Sequence, residues 1–274
     1  MSKKAKKSRQ SDFVRLSPIL DIVRAAIWTG VLDDEHPISV MLIAEQESAK
    51  TECLKFFAGT STLTYLSDAT GKGLASFKSK IEEKKLRHFV LLDLVRVLSH
   101  AKGVGERTIQ QLATLMEEGE SMTVDPSGQA NWANFPRVGT LMGITPQYLQ
   151  SKMIKWRATG FMTRFLPVSF RYTPSTVSAI HDAIQKGIKL PPAEPITFFK
   201  IVHVSLSAQR AKELREHAVN IAADVDINGF RWHRQMRALA KGRAASQGRT
   251  VVSPADVKQV REWGEFFKGK EVEL

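Results

Sequence analysis

IAEQESAKTECL, residues 43–54, is the stretch on which the fold turns. A loop that cradles phosphate reads G-x-x-x-x-G-K-[ST]. Laid on this stretch, that register runs Ala44, Glu45, Gln46, Glu47, Ser48, Ala49, Lys50, Thr51. The Lys-Thr pair is present, and alanine stands at both glycine positions. The same letters also suit the first turn of an amphipathic helix, so the neighbouring residues decide. Upstream, Pro37 stops the preceding segment and Ile38 to Ile43 form a short apolar run, which predicts a buried strand. Downstream, TECLKFFAG predicts a helix ending at Gly59. Strand, loop, helix is the setting in which a helix N-terminus offers free N–H groups and a positive dipole end to phosphate. Alanine at 44 gives up backbone freedom that glycine would supply, whereas Ala49 has only one close contact to fit.

Working outward, Leu16, Ile19, Leu20, Ile22, Val23, Ala26 and Ile27 recur at helical spacing and predict a helix over 12–30. STLTYLSDATGKG gives a second strand ending in a turn. Phe89 to Leu92 is an apolar run closed by Asp93. An acid at the end of a buried strand suits a magnesium-holding position, or it caps the next helix. RTIQQLATLMEEGESMTVDPSG predicts a helix, a short strand and a turn, and QANWANF leads back to the strand RVGTLMGITP. YLQSKMIKWRATGFMTRF is a helix running into a turn, and PVSFRYT is a further strand. From 174 onward the pattern is helical, with a rigid LPPAEP loop at 190–195 and Ser253-Pro254 opening the final helix. The expected organisation is a basic arm over 1–14, an α/β core with a parallel sheet flanked by helices over 15–173, and an all-helical lid over 174–274.

The 274 residues carry a formal charge of +12, which points to a polyanionic partner, nucleic acid being the commonest, or to a basic protein that merely stays soluble. The first ten residues hold Lys3, Lys4, Lys6, Lys7 and Arg9 without an acid, the pattern of an arm that touches phosphates. No apolar run is long enough to span a membrane, and no apolar stretch follows the N-terminal lysines to make a secretory signal. One cysteine, Cys53, excludes an internal disulfide and a cysteine zinc site. A cytoplasmic setting is expected. The histidines show no ligand spacing with acids. Trp132 could stack on bases or pack in the core.

The order of these motifs resembles that of the AAA+ ATPases, within them the MCM-like branch, over roughly residues 15–264. Ser48-Ala49-Lys50-Thr51 is similar to the A-K-S ending of that branch. MEEGESMTVDPSGQANWANFPRVGTLMGITP resembles its helix-2 insert, hairpin and sensor 1 strand. FMTRF resembles its arginine-finger motif, and FRWHRQMRALAKGRAASQGRTVVSPADV its lid. The resemblance implies ATP and Mg²⁺ as cofactors. It implies Ala44, Glu47, Ser48, Ala49, Lys50, Thr51 and Asp93 around the nucleotide, with Thr51 and Asp93 on the metal. It implies Thr145 as sensor 1, Arg164 as a finger acting on a neighbouring subunit, and Arg231 as sensor 2. Arg164 could instead be a turn residue binding DNA or solvent, and Arg231 one of six surface cations on its helix.

The sequence departs from that pattern. Ala44 replaces the first glycine, Thr145 a sensor asparagine, and Leu94 stands where the catalytic glutamate belongs. Leucine cannot orient an attacking water. Glu106, Glu117 and Glu118 are downstream acids that could substitute. The expected function is a nucleotide-binding protein acting on DNA as a homo-oligomeric hexameric ring or filament in replication or recombination, with weak or absent hydrolysis. Lys3, Lys4, Lys6, Lys7, Arg9, Trp132 and Arg137 are the expected DNA contacts, and a phage or mobile-element origin suits the size. The alternatives are a DNA-stimulated ATPase motor and a MoxR-like protein-remodelling ATPase.

Overall fold

A computed structural model describes residues 15–92, 94–99, 103–117, 119, 123–124, 130–131, 136–188, 190–198, 200–225 and 228–274. In chain order the elements are α1 (Ser17–Thr29), β1 (Ser39–Ile43), α2 (Lys50–Lys55), β2 (Leu63–Leu66), α3 (Gly71–Ala75), α4 (Lys78–Glu82), β3 (His88–Leu91), α5 (Leu94–Ser99) and α6 (Val104–Glu117). A small hairpin of β4 (Thr123–Val124) and β5 (Ala130–Asn131) precedes β6 (Gly139–Ile144), α7 (Pro146–Ala158) and β7 (Phe165–Arg171). Helices α8 (Pro174–Gln185), α9 (Ala208–Ala223), α10 (Phe230–Ser246) and α11 (Pro254–Phe267) follow, then β8 (Val272–Glu273).

The main sheet has the order β2-β3-β6-β1-β7-β8, and every pairing in it is parallel. β1 therefore lies inside the sheet between β6 and β7, and all five of its residues are buried. A continuous apolar run is what a strand covered on both faces requires. Successive side chains point to opposite faces. Val40 and Leu42 join a core that includes residues of α1, α2 and α9–α11, while Met41 and Ile43 join one that includes residues of α3–α7.

Helices α1 and α10 pack closely because Gly242 has no side chain; a Cβ there would overlap the Ala25 carbonyl. The expected strands and long helices are present. Two features differ from expectation. The turn after β2 contains the short helices α3 and α4, too brief to show a helical period. The C-terminal region is not wholly helical: Phe170 and Arg171 of β7 pair with Val272 and Glu273 of β8, extending the sheet by one strand.

Buried charge fixes the C-terminal helices. Asp256 is fully buried, accepts from Arg243 and Arg249, and closes a capping box with Ser253 at the start of α11. Burial alone would raise its carboxyl, but the bonds from Arg249, Ser253 and Arg243 outweigh it and hold the group below the usual range. Buried Lys241 of α10 ion-pairs with Asp34 and Glu35, tying α10 to the chain leading into β1.

Candidate functional site

In a parallel sheet, ligands bind at the carboxyl ends of the strands, where connections leave to opposite sides. Here β1 ends at Ile43, level with Ile144 of β6, and the Ala44 N–H donates to the Ile144 carbonyl at 3.3 Å. The 44–49 loop thus leaves the sheet directly beside Thr145. Thr145 caps α7, accepting from the Tyr148 N–H at 3.4 Å, and among the described residues no acceptor takes its hydroxyl proton.

The loop is tightly self-bonded. Ser48 Oγ donates to the Glu45 carbonyl at 2.6 Å, and Tyr172, just past β7, donates to the Ser48 carbonyl at 3.1 Å. Lys50 folds back over the loop: its Nζ donates to the Ala44 carbonyl at 2.7 Å, to the Glu45 carbonyl, and to Ser48 Oγ at 3.1 Å. Its stem lies over Gly143 of β6, whose missing side chain makes room for it. Burial pushes the Lys50 ammonium below its usual range, against the pull of Glu45. The Glu45 carboxylate is itself held by Gln147 of α7 at 2.8 and 2.9 Å.

The backbone corrects the expectation about the two alanines. Ala44 is not among the residues with positive φ; its methyl is fully buried in the core. Ala49 lies in the left-handed region at φ 56°, and Glu47 does so at φ 60°. The glycine-like conformation is therefore kept at 49, where an L-residue is strained, and not required at 44. Ala49 precedes α2 without a side-chain cap bond, which leaves the first-turn N–H groups of Lys50 and Thr51 to other partners. Thr51 is half-buried on that turn. Leu94 is 1 % exposed and packs in the core with Met41 and Leu91. Asp93, Trp132 and the five cations of the N-terminal arm lie outside the described residues.

Arg164 and Arg231 are together, but not beside this loop. Phe165 is level with Ser39, so Arg164 stands at the amino ends of the strands. Ala44 lies five residues beyond Ser39 along β1, roughly 17 Å at strand rise. Arg164 is turned into its own chain, donating to the Gly160 carbonyl at 2.6 Å and the Ala113 carbonyl at 3.2 Å. Arg231 donates to Thr163 Oγ1 at 2.5 Å and pairs with Glu117 at 3.2 Å. A small cleft joins them to His36, Arg137 and Arg234. Of the acids that could stand in for Leu94, Glu117 is committed to this arginine end, Glu106 pairs with Lys155 of α7, and Glu118 lies outside the described residues. Sequence reasoning missed Arg87, Tyr172 and the Glu117 contact. No spacing signals them, because their partners come from distant parts of the chain.

No protein family and no curated protein matches the sequence. Among solved structures, the chain is similar to a full-length MCM homolog from Methanopyrus kandleri, with a TM-score of 0.56 and 14% sequence identity over 94% of this chain. The match spans 57% of that chain. At this identity the likeness is one of fold: a parallel α/β sheet flanked by helices, with a C-terminal helical region.

Proposed function

We propose that this protein binds a nucleotide on the 44–51 loop and acts on DNA as a head-to-tail oligomer, a ring or filament. The observation that carries the reading is the placement of Lys50: on a strand–loop–helix connection at the carboxyl end of a central parallel strand, beside Thr145. Lys50 would leave the Ala44 and Glu45 carbonyls to meet the β and γ phosphates. The Lys50 and Thr51 N–H groups would donate to an anion, with Ala49 holding the turn that exposes them. Glu47 and Ser48 would line the phosphates, and Thr51 with Asp93 would hold Mg²⁺, which neutralises phosphate charge when bound. Thr145 would report on the terminal phosphate.

The two ends of the sheet supply the assembly argument. The loop lies at the carboxyl ends and Arg164 and Arg231 at the amino ends, so one copy cannot bring them together. A heterologous contact can, and such contacts close into rings or run on as filaments. Within that assembly, 15–173 acts as the nucleotide-binding core and 174–274 as the lid. DNA is the favoured polyanion because of the +12 charge, with the arm lysines, Arg9, Trp132 and Arg137 as contacts. Hydrolysis is weak or absent because Leu94 is buried and apolar where an acid would orient water. Roles in replication or recombination belong to this same reading.

ATP binding and turnover measured on one sample, with and without DNA, test it. Binding that Lys50→Ala removes, with little turnover, is the expected result. DNA-stimulated turnover would favour a motor instead, and undiminished ATP binding by Lys50→Ala would end the loop reading.

A further inference from the structure

The amino ends of the strands carry a second cleft, of about 670 Å³, which shares Glu35, His36 and Arg137 with the cleft at Arg164 and Arg231. That volume is within the range of small-molecule sites. Its floor includes Arg87, in the turn that enters β3. Arg87 is 7 % exposed, and its Nε donates to the Gly30 carbonyl. Its Nη1 is enclosed and, among the described residues, has no hydrogen-bond partner. A guanidinium does not shed its proton, so a buried one without a carboxylate leaves an uncompensated charge.

Lys84 and Arg137 line the same cleft, and among the described residues neither they nor Arg87 has a carboxylate partner. The three acids that line it have other partners: Asp34 and Glu35 pair with Lys241, Glu35 also with Arg237, and Asp33 hydrogen-bonds His203. The potential at the cleft shows in His36 on its rim. Burial first, then Arg137, Arg87 and Arg234, hold its imidazole below the usual range, against Glu117.

We infer that this cleft is a second anion site, taking a phosphate group on Arg87, Arg137 and Lys84. It is separate from the 44–51 loop and does not depend on that loop binding nucleotide. Phosphate suits the arrangement because guanidinium groups meet its oxygens in pairs, while Asp33, which also lines the cleft, can accept from a hydroxyl or amino group of the same ligand.

Calorimetry with inorganic pyrophosphate on the full chain carrying Lys50→Ala tests the site without the loop lysine. Binding is expected to persist in that background and to weaken about tenfold or more on adding Arg137→Gln or Arg87→Gln, the loss of a charged hydrogen-bond donor. Lys84→Gln and Arg137→Gln sit toward solvent and keep the test clear if Arg87→Gln fails to fold. Loss of all pyrophosphate binding in Lys50→Ala would overturn the inference, as would affinity unchanged by both Arg137→Gln and Lys84→Gln. Competition then identifies the source. Displacement by AMP points to a small phosphorylated ligand; displacement only by a single-stranded oligonucleotide points to a nucleic-acid backbone. If wild type and Lys50→Ala bind ATP equally well, the loop reading fails while this one stands.

Discussion

The two ends of the parallel sheet differ in how they handle charge. At the carboxyl ends, one lysine is tucked onto the carbonyls of its own loop, among Glu45, Glu47 and Glu52. At the amino ends, Arg87, Arg137, Arg164, Arg231 and Arg234 converge, and of these Arg164 and Arg231 share Glu117. Lys50 stands at one end of the sheet and these five arginines at the other, a strand's length away. A nucleotide on one copy would thus draw its remaining countercharge from the amino end of another.

The largest expected effect lies in the loop lysine. Lys50→Ala should weaken ATP binding about a hundredfold, the loss of a charged donor to phosphate, read by fluorescent-nucleotide titration. An effect below about threefold would show that the loop is not the phosphate site. Next is Arg164, whose side chain is 15% exposed and bonded to the Gly160 and Ala113 carbonyls. Arg164→Ala should cost about 2 kcal/mol of folding stability by urea unfolding, because buried carbonyls lose a charged donor. Arg231→Ala, more exposed and surface-paired, should cost under about 1 kcal/mol.

Histidines held down by burial, at the amino end and in α9 and α10, should set the pH response. Burial, reinforced by Arg87, holds His88 down to about 3, and His36 is lowered too. An unfolded histidine titrates near 6.5, so below that pH the unfolded chain binds more protons. Stability should fall as pH drops from about 6.5 toward 3, by about 1.4 kcal/mol per unit for each histidine kept neutral in the fold. A flat urea midpoint between pH 7 and 5 would contradict the buried placement of His88.

The smallest effects concern the two alanines, where one substitution should have opposite signs. Ala49→Gly relieves a left-handed alanine and should stabilise by about 0.5–1 kcal/mol. Ala44→Gly empties a buried methyl site and should destabilise by about 1 kcal/mol. Thermal melts of both variants separate them.

Much of this was legible in the sequence. The apolar run 38–43 and the Lys-Thr pair placed the strand, loop and α2, because a buried parallel strand and a helix start both leave local patterns. The strand before Thr145 and the turn holding Arg164 were legible for the same reason. The position of strain was not, since the letters A-K-T do not say which alanine takes positive φ. Nor was the grouping of Arg87 with Arg137, or of Glu117 with Arg231, which only the sheet order creates. β8 went unread because two residues carry no period.

The most direct measurement of the head-to-tail arrangement is sedimentation velocity with ATP on Lys50→Ala, on Arg231→Ala, and on their equimolar mixture. Lys50→Ala keeps a sound amino end and Arg231→Ala a sound loop. Each alone should remain monomeric, while the mixture should form dimers through the single interface that pairs the two sound ends, and wild type should form larger species. Full assembly by either variant alone, or a mixture that stays monomeric while wild type assembles, would contradict it.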